Sequence, residues 1–482
     1  MRSQRWAWLM LALPLGLVLW GFARIYNKNS AYSQVADQLP GERAAAKRDT
    51  IPLTPEEITS QRAVPAADNA APIYREIVDA MQQMPDVRWD DMRPIMLGQE
   101  REGDRKQARL VLTQCYAIMQ KAEGAALRTQ CDFQRDFRQG ILLEFPEYPY
   151  LRQLVRLFCV QAILLMEADQ LGEAMRSLLT ASHIIRHLGQ EADVSALFNR
   201  MTLESLFERA LLRIVQRGSD RPEVLQKAEQ IEQILDSPRD PGKAFQTECV
   251  LRLQTLETFR KGVPHPLPSG YNPPYPLHAS HNIVQDAWEA RCLSFWRRTL
   301  EGVRRADNDP MDAFRAVKAI NDSERRESVN ARQHFKQTYE LSYYMQTDYT
   351  DVAQRLVSYE AHKRLRRIQL ALFAYRRKTG HFPDQLEALT PEPPVDPFAR
   401  QPMHYQKTEK GFLLYSIGAN LADDNGNGRP RFRGEDPPDI VLSYPPQAVT
   451  LEPPPGREGY KVNPLKGGPS IGPIKGLPTL GP

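Results

Sequence analysis

The sequence predicts a mainly α-helical protein with three parts: an N-terminal transmembrane anchor, an irregular helical bundle, and a small α+β unit in which a long helix lies on a short antiparallel sheet. Three observations predict this architecture. An uncharged apolar run opens the chain, apolar residues then recur with helical spacing, and three strand-like segments follow a last long helix. A chain of 482 residues has room for two or three domains.

Residues 1–26 are predicted to form a signal-anchor helix. The run from Trp6 to Ala23 carries no charge, and it spans about 27 Å as a helix, which is enough for a slightly thin bilayer. Aromatic residues near both ends of the run are typical of a helix that stays in the membrane. The alternative is a cleaved signal peptide, whose small residues Gly21 and Ala23 would mark the cleavage site.

Residues 27–66 are predicted to be a flexible linker, because they are polar and contain four scattered prolines. A helical domain is predicted for residues 67–347. Its clearest feature is a pair of helices with apolar residues at helical spacing, from Leu151 to Met166 and from Leu171 to Ile185. The junction resembles a tetratricopeptide (TPR)-like hairpin with Gly172 in the turn, although the regular repetition of a repeat array is absent.

Residues 348–444 are predicted to form the small α+β unit. Its long helix, from about Asp351 to Thr379, has an apolar seam. The basic segment 363–367 of this helix is predicted to be a solvated face opposite that seam. Three short strands are predicted to pair antiparallel and to pack against the helix: Met403–Gln406, Phe412–Tyr415 and Ile440–Tyr444.

Residues 445–482 are predicted to be a disordered tail. Proline and glycine dominate this segment, and it has few large apolar side chains. Such a segment buries too little surface to offset the entropy lost on ordering.

Charge balance and cysteine usage give no support to several classes of function. There are 63 Lys and Arg against 59 Asp and Glu, a balance too even to predict a nucleic-acid partner. No C-x-x-C spacing supports a zinc ribbon, a thioredoxin-type site or c-type haem attachment. A Cys115–Cys131 disulfide is one interpretation in an oxidising compartment. The other is that all five cysteines are small buried apolar residues: Cys115, Cys131, Cys159, Cys249 and Cys292.

Four short motifs follow one another from the end of the long helix. They are H-F-P at 381–383, V-D-P-F at 395–398, G-F-L-L-Y-S-I-G at 411–418 and D-I-V-L-S-Y at 439–444. This order resembles the globular head of the major pseudopilin of bacterial type II secretion, and the resemblance implies a helix-on-sheet head. Two departures indicate a head reused on another membrane protein. A long helical domain separates the anchor from the head, and the helix of the head is too basic for a pilus core.

The whole chain also resembles a class of bacterial single-pass membrane-anchored proteins whose activity is not known. The matching segments are N-A-A-P-I-Y-R at 69–75, the residues around Cys131, the helical hairpin and the pseudopilin-like end. The resemblance and the anchor together imply a location in the bacterial inner membrane, with the body on the periplasmic, extracytoplasmic side.

Acidic and amide residues crowd the loop between the last two strands. Three of them alternate before Gly428, which matches the first half of the D-x-[DN]-x-[DN]-G calcium signature, but the second half is absent. The resembling pseudopilins bind calcium in this loop, and the resemblance implies five candidate ligands: Asp423, Asp424, Asn425, Asn427 and Asp439. The alternative is a solvated cluster of Asx turns that needs no metal.

Other candidate sites are weaker. His183 and His187 have the four-residue spacing of a metal-binding pair, but no third ligand accompanies them, so they are predicted to be packing or surface histidines. The nucleophile elbow, Walker A and dinucleotide-binding motifs are missing from any strand-to-helix context. The sequence therefore predicts no catalytic role.

The leading hypothesis is a membrane-anchored extracytoplasmic interaction or scaffolding protein with a pseudopilin-like C-terminal domain. It predicts a protein partner in the cell envelope and neither a nucleic acid nor a small-molecule substrate. Two alternatives stay open: an envelope hydrolase with a site in the helical domain, and a calcium-stabilised structural envelope protein.

Overall fold

A computed structural model describes most of the body of the protein. The predicted anchor at residues 1–26 lies outside the described residues, as does the predicted tail from residue 446 onward. The described ranges are 32–59, 64–84, 89–98, 103–236, 241–261, 282–305, 309–333, 348–390, 392–428 and 438–445.

Within these ranges the protein is mainly helical with one three-stranded antiparallel sheet, as predicted. The first seven helices, α1 to α7, are Leu39–Arg48, Pro55–Thr59, Ala71–Gln82, Arg93–Leu97, Asp104–Gln114, Tyr116–Ala126 and Glu147–Glu167. The next seven, α8 to α14, are Leu171–Leu188, Val194–Arg217, Pro222–Leu235, Pro241–Arg260, Asn282–Arg304, Pro310–Gln333 and Thr350–Thr379. The strands β1 to β3 are His404–Lys407, Phe412–Ser416 and Ile440–Tyr444.

The predicted hairpin of α7 and α8 lies at the centre of the body. Most of its apolar residues are buried, and Leu154, Phe158 and Leu178 are fully so. Among the described residues, α7 is the one helix whose length and composition would suit a membrane span, and 56% of its apolar window is buried inside the protein. Because α7 packs on α8 and α9, its apolar surface faces other helices of the body.

The described part of the predicted linker is helical, so the prediction of a flexible linker is wrong for residues 32–59. Helix α1 packs on α12, where Leu39 is buried in a cluster with Trp296. Arg297 of α12 pairs with Glu42 at 2.8 Å and with Asp49 at 2.9 Å. Two of the four prolines that suggested a linker, Pro40 and Pro55, stand in the first turns of α1 and α2, where a missing N–H costs nothing.

The five cysteines are all buried free thiols. The predicted Cys115–Cys131 disulfide is therefore wrong, and the interpretation of the cysteines as small apolar residues is confirmed. Burial raises the pKa of Cys159 to about 12, so this thiol stays protonated at neutral pH.

The three strands pack on α14 through a cluster of aromatic rings. Phe373 of α14 lies 6.0 Å from the ring of Phe412 and 5.3 Å from that of Tyr444, in edge-on contacts. Phe382, just past the end of the helix, contacts Phe412 at 5.0 Å. Gly380 ends α14 with a positive φ of 83°, which turns the chain back over the sheet. The predicted long helix on a short antiparallel sheet is thus present.

Helix α14 also joins this sheet to the helical body. Val352 and Tyr359 near its start belong to the core formed by α11 and α12, whereas Leu365 and Phe373 belong to the core that contains the α7–α8 hairpin and the sheet. One apolar core therefore runs across the predicted boundary at residue 348.

A buried charge network fixes α14 against α9 and α10. Arg366 of α14 binds both carboxylate oxygens of Glu232 on α10, with 3.1 Å between Nη2 and Oε2. On α9, Glu204 accepts hydrogen bonds from Arg200 at 2.8 Å and from the Tyr359 hydroxyl of α14. Burial acts to lower the pKa of Arg366, but the carboxylates of Glu232 and its neighbours raise it above its usual value.

The prediction that the basic segment of α14 is a solvated face is therefore wrong for Arg366, which is buried, and for Lys363 and Arg364, which are partly buried, whereas Arg367 is exposed. Besides the buried Arg366, both Lys363 and Arg367 bind the carboxylate of Asp236, just past the end of α10, at 3.3 and 2.7 Å. Arg364 binds Glu360 at 2.9 Å within α14. The segment carries the charges that dock α14 on the body.

We expect the substitution Arg366→Met to lower the free energy of unfolding by about 3–5 kcal/mol, because it leaves the buried carboxylate of Glu232 without its cation. The matched control is Arg367→Met, which removes a pair that is half exposed to solvent and should cost less than about 1 kcal/mol. Urea unfolding of both variants measures the difference. Equal losses would show that Arg366 has no special role.

Candidate functional site

The acidic loop between β2 and β3 lies over the outer face of the sheet, on the side away from α14. Gly426 and Gly428 approach this face so closely that a Cβ atom on either would lie within 3.0 Å of Leu413 or Val441. Gly426 also has a positive φ of 76°. Glycine is therefore required where the loop crosses the sheet.

The carboxylate of Asp439 binds the backbone of the loop. It is fully buried at the start of β3, and its Oδ2 accepts hydrogen bonds from the backbone N–H of Gly426 at 2.8 Å and of Asn427 at 3.1 Å. Its Oδ1 faces the N–H of Asp424 at 3.4 Å. Burial and the nearby Asp424 raise the pKa of Asp439, although the three N–H groups act in the opposite direction.

Asp423 faces the rings on the outer side of the sheet. Its Oδ1 accepts hydrogen bonds from the Tyr415 hydroxyl at 3.1 Å and from the Asn425 N–H at 2.8 Å. Tyr415 in turn stacks on His404 with 4.6 Å between ring centroids. Asn420 closes a second local turn by accepting the Ala422 N–H at 3.1 Å. These are the Asx turns of the metal-free alternative.

The structure therefore brings together some of the predicted calcium ligands. Asp424 and Asp439 share one end of the loop, Asp423 faces the sheet, and Asn425 and Asn427 are exposed on its surface. Among the described residues, no group of three or more His, Cys, Asp or Glu side chains could hold a metal ion. A calcium site here would need backbone and amide oxygens as additional ligands.

A buried carboxylate that the sequence analysis missed anchors the start of this loop. Asp396, in the V-D-P-F motif, is fully buried and accepts hydrogen bonds from the Ser416 hydroxyl at 2.8 Å and the Ile417 N–H at 3.0 Å. It also accepts the Phe398 N–H at 2.9 Å. Two motifs that are distant in the sequence thus meet at one carboxylate. The D-P dipeptide was the available signal, since such a pair marks a turn.

Leu421 stands out in the exposed part of the loop. Its φ of 58° places it in the left-handed region, and half of its surface is open to solvent. For a residue other than glycine or asparagine this conformation costs about 1–2 kcal/mol. Backbone conformations of this cost occur more often at binding sites and active sites than elsewhere.

His183 and His187, which have the spacing of a metal-binding pair, do not form a metal site with any other described residue. Both ring nitrogens of His187 are occupied: Nε2 donates to the Arg128 carbonyl oxygen at 2.8 Å, and Nδ1 accepts the Tyr74 hydroxyl at 2.8 Å. Burial lowers the pKa of His187 to about 3, against the opposing effect of the Arg128 carbonyl. Burial likewise lowers the pKa of His183 to about 4. His187 is thus a neutral packing histidine, as the sequence predicted.

Comparison of the chain with protein-family models, with curated proteins and with solved structures finds no match.

We expect protein stability to fall on acidification through His187. Its pKa is about 3 in the folded state and about 6.5 in the unfolded chain, so the unfolded state binds the extra proton between these values. Its contribution is complete above about pH 6.5 and is lost progressively below it; between pH 7 and pH 5 the loss is about 2 kcal/mol.

His187→Gln keeps an acceptor for Tyr74 and a donor for Arg128 but cannot titrate. We expect urea unfolding to show a smaller drop between pH 7 and pH 5 for this variant than for the unmodified protein. His183 titrates in the same pH range, and Asp193, whose pKa burial raises to about 6, has the opposite effect on stability. Both groups are present in the variant and in the unmodified protein, so their contributions cancel in this comparison. Identical pH profiles would contradict the assignment.

Proposed function

We propose that this protein is a single-pass bacterial inner-membrane protein, anchored by residues 1–26, whose extracytoplasmic body is an interaction or scaffolding module. The pseudopilin-like end of the body presents the acidic loop, residues 418–428, to a protein partner in the cell envelope. No catalytic step is part of the proposal.

The observation that carries the proposal is the placement of the loop. The inner face of the sheet is covered by α14 through the ring of Phe373, and α14 is itself buried against α9 and α10. The loop covers the outer face. The exposed residues of the loop thus form the solvent-facing surface of the helix-on-sheet unit on the side away from α14.

The chemistry of that surface also supports recognition of a partner. Leu421 is apolar, half exposed and in a costly backbone conformation. Asp423, Asn425 and Asn427 are exposed polar residues of the same loop. Protein-binding surfaces combine apolar and polar groups, and the exposed part of this loop offers both.

The position of α14 argues against assembly into a pilus. In a pseudopilin the helix that precedes the head must pack against the same helix of other subunits. Here the helical body covers the corresponding helix, where Tyr359 binds Glu204 and the buried Arg366 binds Glu232. The resemblance is therefore best explained as a head domain reused for display.

Site-specific crosslinking in membranes tests this function. We expect a photoreactive phenylalanine analogue at Leu421 to give a discrete adduct with an envelope protein. The control position is Leu127, which is 83% exposed on the helical body. Adducts from Leu127 alone, or the same adducts from both positions, would contradict the loop as the contact surface.

We propose calcium stabilisation as a second candidate function of the same loop. The observation in its favour is the proximity of two carboxylates, since Asp424 contributes to the raised pKa of Asp439. A bound Ca²⁺ would neutralise this repulsion and accept oxygen ligands from the neighbouring amides.

We expect saturating Ca²⁺ to raise the melting temperature by a few degrees relative to chelator, since a ligand at about 100 times its Kd stabilises by about 2.7 kcal/mol. Asp424→Asn should remove most of this shift. Asp384→Asn, which changes an exposed carboxylate bound to Lys407 at 2.7 Å, should leave it intact. No shift with Ca²⁺, or a full shift in Asp424→Asn, would exclude a calcium site formed with this carboxylate.

A further inference from the structure

A cleft of about 260 Å³ opens in the helical body between α2, α11 and the segments at 130–132 and 190–192. It shares no residue with the acidic loop. Pockets for drug-sized ligands and cofactors usually measure about 300–1,000 Å³, so this cleft suits a smaller molecule. Its lining combines polar and apolar side chains.

Thr247 brings a hydroxyl without a partner to this cleft. The residue is fully buried and lines the cleft, and its Oγ1 has no hydrogen-bond partner within the part of the chain that the structure describes. Two other threonines of α11 differ in this respect. Thr255 and Thr258 donate to the carbonyl oxygen four residues earlier, at 2.8 and 2.9 Å, as threonine in a helix commonly does. The Thr247 hydroxyl is therefore available to a ligand, and binding one would satisfy a buried polar group.

Two glutamines of the lining offer acceptor atoms. Gln190 Nε2 donates to the Thr129 carbonyl oxygen at 3.0 Å. Gln246 Nε2 donates to the Thr50 carbonyl oxygen at 3.2 Å. The donor end of each amide is thus occupied, whereas no described residue donates to either Oε1. Both oxygens can accept a hydrogen bond from a ligand.

Asp132 adds a carboxylate with one oxygen in use. Its Oδ1 accepts the Gln134 N–H at 2.8 Å, and among the described residues no donor binds its Oδ2. The amide of Asn69 accepts the Asp132 N–H and donates to the Asp132 carbonyl oxygen, both at 2.9 Å. A wall held in this way needs little ordering when a ligand enters.

The groups that remain open decide the class of ligand. Lys243 already has a partner within the protein, so a ligand is bound by the acceptors and by the Thr247 hydroxyl. A cationic ligand would be repelled by the Lys243 ammonium, and an anionic one by the Asp132 carboxylate. An uncharged ligand with several O–H donors fits this set. Three apolar side chains of the lining can receive its C–H groups: Ile58, Val64 and Ala192.

We propose that this cleft binds a neutral monosaccharide. Hydroxyl groups of the sugar donate to the Asp132 carboxylate and to the amide oxygens of Gln190 and Gln246. The Thr247 hydroxyl donates to an oxygen of the sugar, and the apolar side chains receive the C–H face of the ring. This ligand class goes beyond the scaffolding function, which involves a different surface.

Saturation-transfer NMR tests the proposal on the full chain, in a detergent that has no sugar head group. The probes are D-glucose, D-galactose, D-ribose and N-acetyl-D-glucosamine, each at about 10 mM. The control is tetrahydropyran, a sugar ring without hydroxyl groups. We expect at least one sugar to bind, and tetrahydropyran to bind about tenfold more weakly, because only the sugar supplies donors. No transfer to any of the sugars, or equal binding of tetrahydropyran, would overturn the proposal.

Matched variants localise the binding. Thr247→Val keeps the shape of the side chain and removes its hydroxyl, and it should weaken binding of the sugar about fivefold. Asp132→Asn keeps an acceptor for the Gln134 N–H and removes the charge, and it should weaken binding about tenfold. Thr258→Val, on the same helix but outside the cleft, should bind as the unmodified protein does.

The melting temperature of the ligand-free variants separates a loss of binding from a loss of folding. We expect Thr247→Val to melt no lower than the unmodified protein, because the hydroxyl that it removes is buried without a partner among the described residues. Unchanged affinity in both cleft variants, or an equal loss of affinity in Thr258→Val, would overturn the assignment.

Discussion

The buried ion pair between Arg366 and Glu232 is the constraint on which the arrangement of the protein depends. A guanidinium that is 2% exposed is tolerable only if a carboxylate stays within hydrogen-bond distance. Helices α10 and α14 must therefore keep one register, and Tyr359 with Glu204 imposes the same condition on α9. Such pairs add little net stability compared with apolar packing, but a shifted register would leave several charges buried and unpaired.

This constraint explains how so small a sheet is stable. Three strands of four or five residues cannot form a core alone. They need α14 as a second layer, and α14 is held in place by the body on its other side. The outer face of the sheet is then closed by the loop, where Gly426 and Gly428 permit contact and Asp439 supplies an acceptor for three backbone N–H groups. The order of the loop thus depends indirectly on a salt bridge in the helical body.

Helical periodicity and capping residues were sufficient to predict most elements. The long helix expected from about Asp351 to Thr379 matches α14 to within one residue, and the strand expected at Phe412–Tyr415 matches β2 to within one residue. β3 was also predicted at its observed ends, because its apolar residues stand between turn signals. These features depend on local sequence, which a single chain displays directly.

The predictions that were wrong or missing concern features that depend on contacts between residues distant in the sequence. The partner of Arg366 is 134 residues away, so a basic segment on a helix gave no sign of its burial. In the segment before residue 60, the prolines suggested a linker. Proline is also common in the first turn of a helix, and only the packing of Leu39 on α12 distinguishes a helix from a linker here. The role of Asp396 likewise depends on Ser416 and Ile417, brought near by the turn before β1. In each case the sequence shows the chemical type of the side chain, but the residue that it contacts is determined by the tertiary fold.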